Sequence, residues 1–379
     1  MEHAGSELVE HVAQLLRNMF TTVTVVEEDH SEAADPARRP GRLQAALTLS
    51  PASGGYGRLV VDARQRFEPK DVGPLVEELS SPLRNPASTG LLIVAPALSG
   101  RTRGMLRDRR ISFVDLQGHA WVRMESPALS IDHREPLLGP ERAEKVPGLT
   151  GPAGGRVVRA LVDVAPPHRI GELAARTGTT PGHVSRLVGA LEREALLRRG
   201  ARGAVVYVDW ASLIKAWASS YSPVWSNRKL RRWGPGGPNN ILSPLLEQGS
   251  VSGRWALTGS HGARGFLHTP QFTTSLILYA EHPETVAAMP HLNQAGTGDE
   301  VLIVRPWDEV VFRGCWARGR VPVVAPSQLT ADCLSGPPGL THEGHALLAW
   351  MGRLEATWRA EQWDQECGPQ VSEQAQSWP

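Results

Sequence analysis

The chain has 379 residues, 41% of them hydrophobic and 21% charged, a globular balance in a chain too long for one ordinary core, so two or three domains are expected. The formal net charge is only +1, so any nucleic-acid surface has to concentrate its basic residues locally. Cys315, Cys333 and Cys367 are scattered, without CxxC spacing, which argues for reduced thiols and against a disulfide framework or zinc site. The start, Met-Glu-His-Ala-Gly, has no basic-then-apolar signal pattern, and runs such as Leu91–Leu98 are too short to span a bilayer, so a cytoplasmic protein is expected.

The N-terminal region reads as α/β. Leu8, Val9, Val12, Leu15, Leu16 and Met19 recur at helical spacing and predict an amphipathic helix over Glu7–Phe20. Thr22–Val26 is β-branched and strand-like, and the polar stretch Glu27–Pro40 reads as a loop. Leu43–Leu49 and Arg58–Arg64 predict a hairpin closed by Ser53-Gly54-Gly55. A short helix follows at Val72–Leu79, a buried strand at Leu91–Val94, a basic helix at Arg101–Arg110, and strands at Ile111–Asp115 and Ala120–Met124. Residues 134–153 are rich in Pro, Gly and charge and read as a linker.

Residues 155–208 carry the clearest pattern. Arg156–Val164 is a helix with Val157, Val158, Leu161 and Val162 as its apolar positions, ended by Pro166-Pro167. Ile170–Thr177 is a second helix, with Leu173 and Ala174 facing inward, and Gly178 makes the turn. Thr180 supplies an N-cap oxygen, and Pro181 sits at the first helical position, where its missing N–H costs nothing. The third helix runs to about Glu194 on a stripe of Val184, Leu187, Val188 and Leu191. Helix, tight glycine turn and helix is the spacing of a helix-turn-helix. Leu197–Tyr207 alternates into and out of a glycine turn and reads as a two-stranded wing with Arg198, Arg199 and Arg202 around its tip. A guanidinium there suits phosphate or minor-groove contact. The exposed face of the third helix carries Gly182, His183, Ser185, Arg186 and Arg193. Small residues permit close approach to a groove, Ser185 and Arg186 reach base edges or phosphates, and His183 suits a phosphate or water contact. A wing and helix used only for packing is the plainer alternative.

The segment IGELAARTGTTPGHVSRLVGALEREALLRR resembles the winged helix-turn-helix of bacterial transcriptional regulators of the MarR or IclR type. WALTGSHGARGF and SLILYAEHPE resemble the C-terminal domain of AbiEi-type antitoxin regulators, which implies a winged helix joined to an α/β domain and repression of its own promoter. Here a further N-terminal domain precedes the helix-turn-helix. In pattern that domain is similar to the restriction-endonuclease-like fold: Glu7 and Glu10 on the first helix, and Asp62-Ala63-Arg64 where an active nuclease carries acid, spacer and lysine. Magnesium chemistry needs two or three carboxylates and a lysine. The matching position on the preceding strand is Gln44, and Arg64 stays protonated, so the pattern reads as degenerate. The plainer reading of Asp62 is a surface acid paired with an arginine.

The third region, from Ser222, mixes helices with strands at Trp255–Thr258, Ser275–Tyr279, Val301–Val304, Val310–Phe312 and Pro322–Val324. Thr258-Gly259-Ser260 is like the glycine-serine loop of nucleotidyltransferases, but the next strand, Ser275–Tyr279, has no acid pair, so a structural turn or an anion-binding helix start is expected. His342-Glu343-Gly344-His345 lacks zinc-protease spacing and reads as a cap of the last helix, which carries Leu347, Trp350, Met351, Leu354 and Trp358 on one face. The tryptophans at 225, 233, 255, 307, 316, 350, 358 and 363 suit core or interface positions.

The expected architecture is α/β plus α: an N-terminal α/β domain over 1–135, a winged helix-turn-helix over 150–221, a C-terminal mixed α/β domain over 222–363 and a flexible tail over 364–379. The expected function is a sequence-specific DNA-binding regulator, with Thr180, Gly182, His183, Ser185, Arg186, Arg198, Arg199 and Arg202 on double-stranded DNA. A homodimer is expected, and a protein partner for the C-terminal domain; no catalytic residue, cofactor, metal or membrane contact is. A magnesium-dependent nuclease and an antitoxin or defence component are the alternatives.

Overall fold

The computed structural model describes residues 22–26, 42–50, 57–80, 89–124, 129–133, 146–220, 227–248, 253–267, 275–294, 296 and 298–361. The predicted helix at 7–20 with Glu7 and Glu10, the loop at 27–40, the turn at 53–55, Trp225, Trp363, Cys367 and the tail lie outside these residues. The fold is mixed α/β. The chain divides into two compact units, residues 1–144 and 145–379. The boundary expected near residue 221 falls inside the second. No described helix is long and apolar enough to cross a membrane.

The first unit is a seven-stranded sheet whose spatial order follows the chain: β1 (Thr22–Val26), β2 (Arg42–Ser50), β3 (Gly57–Arg64), β4 (Thr89–Ala95), β5 (Ser112–Asp115), β6 (Ala120–Met124) and β7 (Leu129–His133). The first three strands and the last three form antiparallel pairs, whereas β3, β4 and β5 run parallel. Parallel neighbours need a crossover. Helices α1 (Pro69–Ser80) and α2 (Gly100–Asp108) supply the two crossovers. They bury Val72, Leu75 and Leu106 in one cluster with Ile93, Ala95 and Phe113 of the sheet. The Ser99 side chain caps α2 by accepting from the Thr102 amide. The buried Asp115 carboxylate accepts from the amides of Leu98, Gln117 and His119, tying the loop after β4 to the end of β5. Strand β7 was not expected; it is five residues long, too short to show a clear alternation.

The second unit opens with α3 (Gly151–Asp163), α4 (Ile170–Thr177) and α5 (Pro181–Arg193), then the strands β8 (Leu197–Arg199) and β9 (Val205–Val208), and then α6 (Trp210–Ser220). There follow β10 (Lys229–Gly234), α7 (Pro238–Gln248), β11 (Trp255–Thr258), α8 (Gly259–Ala263), β12 (Leu276–Ala280), α9 (Pro283–Ala287) and β13 (Asp299–Val304). The chain continues through β14 (Trp316–Arg318), β15 (Val321–Val323), α10 (Pro326–Leu334), α11 (Pro338–Arg353) and α12 (Glu355–Trp358). Strands β10 to β15 make one mixed sheet in the order β10-β13-β12-β11-β15-β14. One hydrophobic cluster runs through the whole unit, from Val146 to Trp358.

Four local expectations are corrected. Of the predicted linker, residues 146–153 belong to the second unit's core and helix: Val146 and Leu149 are buried, and α3 begins at Gly151, ahead of the predicted Arg156. The glycines there are a packing device. A Cβ at Gly154 would lie 2.1 Å from the Gly148 carbonyl oxygen, and one at Gly155 would lie 2.1 Å from the Trp307 ring. Glu309–Phe312 is a 3-10 turn rather than a strand, because the Asp308 carboxylate accepts from the Val310 amide and caps it. His342–His345 lies inside α11, which begins at Pro338, rather than at its start; Glu343 is buried while both histidines are exposed. The last helical face is broken at Leu354, which is exposed, and Trp358 returns to the core on α12 with its indole N–H on the Met351 carbonyl.

Overpacking one methyl against a ring costs about 1–3 kcal/mol. Gly155→Ala is therefore expected to lower the urea midpoint of this unit. Gly171→Ala, on α4 with nothing within 4 Å of its new Cβ, is expected to stabilise by roughly 0.5–1 kcal/mol. Equal midpoints for the two variants would contradict the packing of Gly155 on Trp307.

Candidate nucleic-acid interface

Helix α4 buries Leu173, Ala174 and Thr177, and the Thr177 hydroxyl donates back to the Leu173 carbonyl at 2.6 Å. Gly178 ends it at φ 60°, a left-handed value that glycine adopts without strain. The chain turns, and Thr180 caps α5: its Oγ1 accepts from the His183 amide at 3.2 Å, with Pro181 next in line. The inner face of α5 is buried through Val184, Leu187, Val188, Ala190 and Leu191. Thr180, Gly182, Ser185, Arg186 and Arg193 are exposed on the other side. His183 differs from expectation. It is half-buried rather than exposed, and its Nε2 is shielded from solvent.

Ala195, at φ 51°, reverses the chain after α5. Strands β8 and β9 then pair antiparallel, with Leu197 opposite Val208, Arg198 opposite Tyr207 and a register shift between Arg198 and Arg199. Gly203 closes the tip at φ 76°. An isolated bridge, not foreseen, sits on the other edge of β9: His168 and Val205 exchange both backbone hydrogen bonds at 2.9 Å. The His168 ring is buried. Burial pulls its pKa down to about 4, against a weaker opposing effect of the bond between its Nε2 and the Val164 carbonyl. The imidazole is therefore neutral and its Nε2 donates.

The three hairpin arginines have different surroundings. Arg198 lies over the Tyr207 ring at 4.9 Å. Arg202 is exposed at the tip. Arg199 is engaged by Glu192 on the last turn of α5. Its Nε donates to Oε2 at 2.8 Å, its Nη2 donates to the same oxygen, and its amide donates to Oε1 at 3.2 Å. The hydrogen bond to Glu192 raises the Arg199 pKa further. Sequence reasoning missed Glu192; a carboxylate seven residues from an arginine across a helix-to-strand turn carries no periodic signal. It also passed over Arg169 and Arg176, which are exposed on the flanks of α4. Between residues 169 and 202 stand seven arginines and three glutamates, a local excess of positive charge in a chain of net charge +1.

The Gly259-Ser260 turn is a packing element. Ser260 is buried and its hydroxyl donates to Glu343 at 2.7 Å. Beside it the buried Asp332 accepts from Thr258 Oγ1 at 2.6 Å, Gln328 Nε2 at 2.9 Å and Tyr279 Oη at 3.1 Å. In the first unit, Gln44 stands directly across from Asp62, as expected. Asp62 itself is fully buried rather than a surface acid. Its two oxygens accept from Arg64 Nε at 3.1 Å and Nη2 at 2.8 Å. Among the described residues no group of three or more His, Cys, Asp or Glu side chains is placed to hold a metal. No protein-family model matches the chain, and no curated protein or solved structure matches it.

Burial pushes the Asp332 carboxyl up to about 7, against the three donors and Arg159, which pull it down. The folded state therefore holds this proton where the unfolded chain has lost it. Its contribution to stability is present below the ordinary value of 3.8 and fades as pH rises to about 7. Asp332→Asn, neutral throughout, is expected to remove that loss: relative to wild type, its unfolding free energy rises between pH 5 and pH 8. Denaturant titrations at both pH values check this, and a constant difference would contradict it.

Proposed function

We propose that this chain is a sequence-specific, double-stranded-DNA-binding transcriptional regulator, and that residues 150–209 act as a winged helix-turn-helix. The observation that carries the reading is the division of α5: one face is wholly buried, and the other presents Thr180, Gly182, Ser185 and Arg186 beside a hairpin bearing exposed arginines. A helix with small residues at its start enters a major groove closely, and Arg186 has the reach and the donor fork to read a base edge. Arg198 and Arg202 meet phosphates or the minor groove from the wing. A homodimer on paired half-sites is part of the proposal, because one such module buries a modest interface.

The flanking regions fit supporting roles. The order of the first unit, an antiparallel meander leading into parallel strands through helical crossovers, supports the restriction-endonuclease-like reading. Asp62 and Arg64 engage one another there, so we assign that unit dimerisation or DNA contact rather than cleavage. For the C-terminal sheet we propose the role that its sequence resemblance implies, contact with a protein partner.

The test is a binding titration on the DNA upstream of the gene, against random competitor. Arg186→Ala is expected to weaken specific binding by about 1–3 kcal/mol, roughly 5- to 150-fold, and to relax site preference. Unchanged affinity and preference would remove Arg186 from base reading. Loss of all binding to competitor would remove sequence specificity.

A further inference from the structure

We infer that Glu192 is the positioning residue that decides which wing arginines meet DNA: it holds Arg199 against α5 and leaves the phosphate contacts to Arg198 and Arg202. This rests on the DNA-binding reading above.

Three features carry it. First, one carboxylate takes the Arg199 Nε, Nη2 and backbone amide together, so both the side chain and the strand edge are held. Second, the register shift lies between Arg198 and Arg199. A bulge re-aims the side chain that follows it. It separates Arg198, which lies on Tyr207, from Arg199, which turns back to the helix. Third, Glu192 sits in the last turn of α5, where the helix dipole disfavours an acid. A nearby cation compensates there, and Arg199 is bonded to Glu192, with Arg193 also in that turn. The pair is partly exposed, at 37% for Arg199 and 28% for Glu192. Such pairs add little to stability, so variants keep the fold and the consequence appears at the DNA.

Each phosphate contact adds about 0.9 to the slope of log K against log salt. The experiment measures that slope for the full chain on a random-sequence duplex over a KCl series. Glu192→Gln frees Arg199 and is expected to steepen the slope by about 0.9 while tightening binding at low salt. The double variant Glu192→Gln with Arg199→Gln is expected to return to the wild-type slope. Arg198→Gln and Arg202→Gln are each expected to flatten it by about 0.9. A merely structural role for Glu192 would not steepen the slope. The inference is overturned if Glu192→Gln leaves the slope unchanged, or if the double variant falls below wild type by the Arg198→Gln step, which would place Arg199 on a phosphate already. Hydrogen exchange on the free chain separates the two layers. Glu192→Ala is expected to deprotect the Arg199 amide while the Val205 amide, bonded to His168, stays protected. Unchanged protection at Arg199 overturns the clamp itself. A wild-type chain that binds no duplex at any salt overturns the DNA-binding reading, and this role with it.

Discussion

A guanidinium taken out of water is tolerated only where its donors all find acceptors, because the desolvation cost of an unpaired buried charge runs to several kcal/mol. Arg159, on the first helix of the second unit, is 2% exposed. Its Nε donates to Asp163 at 2.7 Å, its Nη1 to the Val310 carbonyl and Gln328 Oε1, and its Nη2 to the Arg313 carbonyl at 2.8 Å. Those acceptors come from its own helix, from the 3-10 turn and from α10. They can be supplied together only if α3 is seated on the C-terminal sheet region. Gln328 also donates to Asp332, so the arginine and the buried acid belong to one polar chain. The Gly155 contact with Trp307 and the backbone pairing of Val164 with Ala360 close the same seam by packing and by hydrogen bonding.

That seam sets the mechanical character of the proposed DNA-binding part. Helices α4 and α5 and the hairpin follow α3 in the chain, and α3 is bonded to the 3-10 turn and to α10. The Arg313 guanidinium extends the attachment by donating to the Arg176 carbonyl at the end of α4. A module joined by a flexible linker would instead show a separate core, whereas here one apolar cluster is continuous from Val146 to Trp358.

The charged groups divide into those consumed by the fold and those left at the surface. Asp62, Asp115, Asp332 and Glu343 are buried, and each accepts hydrogen bonds from its neighbours; their chemistry is spent on holding strands, loops and helices in place. Arg186, Arg198 and Arg202 remain exposed on one helix-and-hairpin element. A net charge near zero is thus compatible with a basic surface, because the acids are placed elsewhere.

Much of the candidate site was legible in the residues alone. The bounds of α4, the glycine turn, the Thr180 cap with Pro181, the buried stripe of α5 and the pairing of the hairpin all follow from cues spanning a few residues: helical period, φ freedom at Gly178, a side-chain oxygen within reach of an amide. The same kind of cue misled where a distant group intervened. Glycines 154 and 155 look like linker but admit the Gly148 carbonyl and the Trp307 ring; Leu354 has the right spacing for the last face, yet the chain bends there to bring Trp358 back onto Met351. The bridge at His168, the Glu192 clamp on Arg199 and the Arg159–Gln328–Asp332 chain had no local signal at all. The residues by themselves determined the helices and the hairpin of the candidate site, since propensity, caps and turns act between near neighbours. Which charges are spent inside and which remain for a partner was decided only by the tertiary structure, because Arg159 meets acceptors 151 to 169 positions away, and a hydrogen bond depends on where the chain returns in space.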